Sequence, residues 1–157
     1  MYYLALFGIA LYGQREIAYT QDQPGKRKRI FLELVIFRFL TIAVAIVVYY
    51  FFFIKGKQYQ DYYTILIIEI IAAAFDISWF FQGIEEFKKT VMRNVLVRIV
   101  SVSLVFILVK NYNDLWKYML IYSLGDFLGN LLLWFYLPKY LKGGKIGKLN
   151  VRRHFIP

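Results

Sequence analysis

The residues able to do chemistry in this chain are charged side chains set inside apolar runs. Glu69 and Asp76 stand seven residues apart, so on a helix they share one stripe with Tyr62, Ala73 and Gly83. Arg38 shares a stripe with Thr41 and Ala45. Asn94, Arg98 and Ser101 recur at helical spacing, and so do Tyr122, Asp126 and Asn130. A guanidinium is a planar fork that grips two oxygens at once, so Arg38 and Arg98 suit a phosphate group. Glu69, Asp76 and Asp126, with the Asn130 amide, suit a proton, a sodium ion or an opposite charge. The plainer reading of the same residues is equally physical, since an Arg–Asp pair inside a membrane holds helices together without binding anything. Arg38 and Asp76 are expected at similar depth on neighbouring antiparallel helices, where they pair or share a cavity with Arg98 nearby. Glu33, close to the end of its run, is expected to reach water.

Enzymatic constellations are missing from the sequence. The single histidine, His154, lies in the tail, so no histidine triad or histidine-rich metal site falls within the apolar runs. With no cysteine there is no thiolate nucleophile, disulfide or thiolate metal site. Ser101 and Ser103 lack a base at helical spacing. The KGGKIGK stretch around Gly143 and Gly147 lacks the strand and the GK[ST] ending of a phosphate loop, and reads as a flexible basic linker. Glu85 and Glu86 read as surface partners for Lys88, Lys89 and Arg93. The chain is expected not to be an enzyme and to need no cofactor or metal.

The elements that position these residues must be membrane helices. Of 157 residues, 60% are apolar and only 19% charged, with a mean hydropathy of +0.50; soluble chains run nearer 45–50% apolar and about 25% charged. The 15 Phe, 14 Tyr and 3 Trp exclude disorder. Segments 30–54, 62–83 and 115–137 each make about 33–37 Å of helix, enough to cross a hydrocarbon core of about 30 Å. Segment 94–109 is shorter and borrows Val91 and Met92, while 2–13 is too short to cross unaided. Barrel strands are excluded because stretches such as AIVVYYFFFI show no two-residue alternation. The fold class expected is all-α: a polytopic bundle of about four full spans plus a truncated first helix. Residues 1–137 form the bundle, and 138–157 a basic tail. Trp79, Trp116 and Trp134 fall near the expected interfaces, as in an aromatic belt.

Charge then orients the bundle. Arg15, Lys26, Arg27, Lys28 and Arg29 follow the first segment. Lys88, Lys89 and Arg93 precede the fourth. Lys139, Lys142, Lys145, Lys148, Arg152 and Arg153 follow the last. These fourteen positive residues fall on one side, against Lys55, Lys57, Lys110 and Lys117 on the other. The rich side is expected in the cytoplasm. The formal charge of +10 is thereby accounted for by topology and by attraction to anionic lipid, and nucleic acid is not expected as a partner.

Four stretches carry a resemblance: LFGIALYGQREIAY (6–19), DISWFFQGIEEFKKTVMRN (76–94), VKNYNDLWKYML (109–120) and GNLLLWFYLPKYL (129–141). Together, and in this order, they resemble bacterial oligosaccharide flippases, the O-antigen and capsule repeat-unit exporters of the multidrug/oligosaccharidyl-lipid/polysaccharide exporter superfamily. Trp79–Gly83 followed by Glu85, Glu86 and Phe87 is the most specific part. The resemblance runs over about 2–157 and implies two six-helix lobes facing a central cavity. A polyprenyl-diphosphate-linked oligosaccharide would cross the bacterial inner membrane through that cavity, for lipopolysaccharide or capsule synthesis, with H+ or Na+ gradients involved.

On that map the five segments match the second to sixth helices of the first lobe. The first helix and the whole second lobe are missing, and Met1 falls outside or in mid-bilayer, so a fragment is expected. One lobe alone does not alternate access. By analogy with cationic cavities in relatives, Arg38 and Arg98 are diphosphate candidates, with Arg15 as a third near the cytoplasmic mouth. Glu69, Asp76, Asp126 and Asn130 are candidates for ion coupling or pairing. The competing expectations are a drug/ion antiporter of the same superfamily and a small self-contained membrane subunit or scaffold.

Overall fold

The computed structural model describes residues 2–56, 59–142 and Leu149, and in the first helix it describes side chains from Ala10 onward. Every regular element among these residues is helical. The chain runs α1 (Tyr2–Tyr19), α2 (Pro24–Tyr49), α3 (Gln60–Ala74), α4 (Ser78–Gly83), α5 (Phe87–Leu108) and α6 (Leu115–Tyr140). A π-turn, Tyr50–Ile54, prolongs α2, and a 3-10 turn, Tyr112–Asp114, leads into α6. Four stretches are long and apolar enough to cross a membrane: Pro24–Ile54, Gln60–Gly83, Phe87–Leu108 and Tyr112–Tyr140. The protein is an all-α, multi-pass membrane helix bundle.

Several boundaries differ from the sequence expectation, each for a local reason. The first helix continues past Gly13 to Tyr19, because GQREIA contains good helix formers and no breaker strong enough to end it. Pro24 starts α2 six residues earlier than expected; its fixed φ and missing N–H suit a first helical position. The helix expected at 94–109 begins at Phe87, where the Thr90 hydroxyl donates back to the Phe87 carbonyl at 2.8 Å. Before α6, Asp114 Oδ2 accepts from the Lys110 and Asn111 amides at 3.0 and 3.1 Å, which turns the chain. Pro138 removes one N–H from the last turn of α6, which runs three residues past 137 into the expected tail. The rest of that tail, including KGGKIGK and the final HFIP, lies outside the described residues apart from Leu141, Lys142 and Leu149.

The largest difference is in the 62–83 segment, which is two helices with a break at Phe75–Ile77. Asp76 Oδ1 accepts from the Ser78 amide at 2.9 Å, a local turn that competes with the helical ladder. Beyond the break, α4 is the centre of the core. Trp79, Phe80 and Phe81 are buried with Ile17, Phe31, Leu34 and Leu133. The Phe31 ring stacks on Trp79 at 5.7 Å and meets Phe80 edge-on at 5.1 Å. Lipid is as apolar as these side chains, so close packing must supply the attraction that water supplies in a soluble core. Glycines allow that approach: a Cβ at Gly13 would lie 2.7 Å from the Trp79 ring, and one at Gly83 would lie 2.8 Å from the Gln14 carbonyl. Trp79 is buried inside the bundle and Trp134 is half-buried against the core, whereas Trp116 is exposed. Glu33 is buried too. It meets Arg29 Nε at 2.8 Å, one helical turn earlier, instead of reaching water.

α5 packs along α6 through a seam of small residues. A Cβ at Gly125 would lie 2.6 Å from Ser101 Oγ, and one at Gly129 would lie 2.5 Å from a Val97 methyl. The opposite face of α5, with Val95, Ile99 and Phe106, is bare.

Candidate functional site: a charged cavity beside a broken helix

A helix that stops inside a bundle leaves its last carbonyls without intrahelical partners, and in a membrane each must find a donor. Three side chains from two other helices supply them. Arg38 Nε, on α2, donates to the Ala73 carbonyl at 2.8 Å. Asn130 Nδ2, on α6, donates to the Ala72 carbonyl at 2.7 Å. Trp134 Nε1, one turn further along α6, donates to the Phe75 carbonyl at 2.8 Å. Asp76 occupies the break itself. Its Oδ2 lies 3.4 Å from an Arg38 nitrogen, and its Oδ1 lies 3.8 Å from Arg93 on α5. Arg38 is thus committed to the break as well as to Asp76. The break is held by side chains from outside its own span, so it is a fixed feature of the packing.

Beside this break lies a cavity of about 450 Å³. It brings together Arg38, Glu69, Asp76, Arg98, Asp126 and Asn130, residues that come from all four sequence-expected stripes, and adds Arg93 and Gln14. Three guanidinium groups face three carboxylates, so the cavity is formally neutral while remaining densely charged. Arg98 lies on its more exposed side, with the guanidinium 5.6 Å over the Tyr122 ring and no ion pair among the described residues. The buried Asn130 turns its amide N–H toward the break, and its Oδ1 is left without a hydrogen-bond partner. Arg15 is not part of the lining. It is exposed on α1 and lies 5.6 Å over the Tyr12 ring. Among the described residues no three His, Cys, Asp or Glu side chains are grouped to hold a metal.

Sequence reasoning overlooked Arg93, Trp134 and Gln14. Charge patterning places Arg93 in the loop before the fourth segment, whereas α5 begins at Phe87 and carries Arg93 into the cavity lining. Its side chain is only 12% exposed, packs against the Gly129 backbone and leaves Nε buried without a partner. Two signals were available. Arg93 precedes Asn94 and Arg98 with no breaker between them, and Gly125 and Gly129 form a G-x-x-x-G pair that marks where α5 approaches α6.

At the end of the bundle near Tyr140, a second polar cluster ties the loops together. Arg27 donates to the Gln21 carbonyl at 3.0 Å and to the Tyr140 carbonyl at 2.7 Å. The Tyr140 hydroxyl donates to Glu86 Oε1 at 2.8 Å, and Lys89 donates both to Tyr140 and, at 3.1 Å, to Glu86 Oε2. Those bonds from Tyr140 and Lys89 hold the Glu86 carboxyl below its usual range.

Comparison with known proteins adds an independent line. A family described as "Polysaccharide biosynthesis protein" matches residues 1–156. The chain is 28% identical over 128 residues to a protein of Shigella dysenteriae named "Putative O-antigen transporter", covering 80% of this chain and 32% of that one. The chain therefore spans about a third of the length of the curated relative it matches. No solved structure matches it.

Proposed function

The chain belongs to the polysaccharide biosynthesis protein family, and from that premise we propose that it forms part of one lobe of a transporter that flips a polyprenyl-diphosphate-linked oligosaccharide across the bacterial inner membrane. The observation that carries the reading is the cavity: three arginines meet three carboxylates between membrane-crossing helices. Intramembrane charges are costly, and a cluster lining one hydrated space marks a ligand or ion pathway. At about 450 Å³ the space admits a diphosphate headgroup, while the lipid chain and the sugars extend beyond it.

In this reading Arg93 and Arg98 are the diphosphate contacts. Arg98 forms no ion pair among the described residues, and Arg93 holds Asp76 only at 3.8 Å. Arg38 contributes by holding the helix break, which removes it from the direct contacts. Arg15, outside the lining, would act only on approach to the mouth. Glu69, Asp126 and Asn130 are the groups for coupling to H+ or Na+, since the Asn130 carbonyl oxygen is buried without a donor and its residue lines the same cavity as the two carboxylates. The basic loops and tail face the cytoplasm. A second lobe closes the exposed side of the cavity and supplies alternating access. The name of the Shigella relative agrees with this class of cargo.

The test is surface polysaccharide made by cells that carry the full-length protein. Arg93→Gln and Arg98→Gln should each reduce it about tenfold or more, the usual scale for losing a charge-assisted phosphate contact, with unchanged protein in the membrane. Normal export by both variants would reject the diphosphate role.

A further inference from the structure

We infer that Asp76 is an internal competitor of the anionic ligand, a carboxylate that occupies Arg93 and so sets how tightly the cavity holds a diphosphate. The inference rests on the reading of Arg93 and Arg98 as diphosphate contacts and names the residue that limits them.

Asp76 is shared by three donors that are not equal. Its Oδ1 accepts from the Ser78 amide at 2.9 Å, which fixes the turn. Its Oδ2 lies 3.4 Å from Arg38, whose Nε already donates to the Ala73 carbonyl at 2.8 Å. The third donor, Arg93, stands 3.8 Å from Oδ1, an ion pair too long to be a hydrogen bond. Arg93 also keeps Nε buried without any acceptor. Arg38 is therefore bound into the backbone, while Arg93 has a charge held in place and donors left to give. A diphosphate offers several oxygens to a planar fork and can take Arg93 in bidentate fashion. To do so it must come close to the Asp76 carboxylate, whose side chain is 28% exposed on the cavity. Like charges brought together at such range oppose each other, so Asp76 lowers affinity by as much as the bound ligand weakens the hold of Asp76 on Arg93. That reciprocity follows from linkage.

For a carrier this weakening is useful. A site that moves its cargo must bind it well enough to accept it and loosely enough to let it go. Asp76 supplies a partner for Arg93 at the moment of release, so the arginine is not left as an unpaired charge in the membrane.

The experiment uses the full-length protein in lipid nanodiscs with farnesyl diphosphate as probe, measured by calorimetry. Asp76→Asn keeps a carbonyl acceptor for the Ser78 amide, removes the charge and sets an NH2 where Oδ2 met Arg38. It should bind the probe about tenfold more tightly, a usual size for coupling between linked groups, while surface polysaccharide export falls. Asp76→Ser retains a cap for Ser78 by a different side chain and should shift affinity in the same direction. The double variant D76N/R93Q should lose the gain. A gain with inorganic pyrophosphate as well supports the inference and assigns the competition to the diphosphate itself; a gain confined to farnesyl diphosphate supports it for a lipid-borne group. An equal gain with farnesol overturns it, because charge would not be what is sensed. Native or weaker affinity in both Asp76 variants, with Arg93→Gln still binding poorly, overturns the competitor role and leaves the diphosphate reading standing. If Arg93→Gln and Arg98→Gln both bind the probe as the native protein does, that earlier reading is what fails, and the competitor role goes with it.

Discussion

The span of residues 60–83 and α5 are equally apolar, yet 33% of the first span's most apolar stretch is buried in the bundle against 6% for α5. Hydropathy says only that both enter lipid. What separates them is shape. The first span is broken, and its second piece places Trp79 against Gly13 of α1, Trp79 and Phe80 against Phe31 of α2, and Phe81 against Tyr140 of α6. α5 is continuous and offers Val95, Ile99 and Phe106 to the surroundings, keeping Val97 and Ser101 for the α6 seam. Their polar residues divide in the same way. Asp76 on the broken span is enclosed by donors, whereas Asn94 and Arg98 on α5 are exposed. One span builds the scaffold, and the other presents charge on it.

The widest separation between the two should appear in stability. Trp79→Ala removes a 2% exposed ring from the packed core and should cost about 3–5 kcal/mol. Ile99→Ala, at a 59% exposed position of α5, should stay within about 0.5 kcal/mol. Thermal inactivation of the detergent-solubilised full-length protein compares them directly. Equal losses would mean that α5 is packed as tightly as α4, and the contrast would collapse.

A smaller but more pointed contrast concerns the arginines. Arg38→Gln leaves the Ala73 carbonyl and Asp76 without their guanidinium inside the bundle and should destabilise by about 3 kcal/mol, the lower end for breaking a buried pair. Arg98→Gln has no such pair to break and should change stability by less than about 0.5 kcal/mol while still impairing export. The same midpoint measurement reads both. If Arg38→Gln is as stable as the native protein, the break is not held by that side chain.

Most of the architecture was legible because bilayer thickness limits what an apolar run can do: the four crossings and their order follow from length and composition. The break at Phe75–Ile77 was not legible. Asp76 and Ser78 carry a local turn signal, but its effect depends on Arg38, Asn130 and Trp134 arriving from two other helices, and periodicity within one segment cannot see them. The same limit explains the site. Stripes named Arg38, Glu69, Asp76, Arg98, Asp126 and Asn130, all of which line one cavity, because a charge in an apolar run is conspicuous. Arg93 escaped because it stands at the edge of such a run, where arginine is ordinary. The different surroundings of Arg38 and Arg98 were beyond reach of composition, since they rest on who neighbours whom across helices.

The smallest expected effect lies where the two spans are joined. Glu86, in the loop between α4 and α5, takes bonds from Tyr140 and Lys89 that hold its carboxyl below the usual range. A carboxylate with a lowered folded value adds stability above its unfolded value, and that contribution is lost as pH falls through the folded one. The native protein should therefore lose thermal stability on acidification through and below the ordinary carboxylate range, and Glu86→Gln should flatten that acid limb slightly, being a little less stable than the native protein near neutrality and equal to it at low pH. Tyr140→Phe, which removes the first of the two bonds, should flatten it part of the way. Midpoints recorded from neutral to acid pH decide the matter. An acid limb of the same slope in native and Glu86→Gln protein would show that the loop does not tie the scaffold span to the exposed one, leaving α5 to its seam with α6 and the Arg93–Asp76 pair.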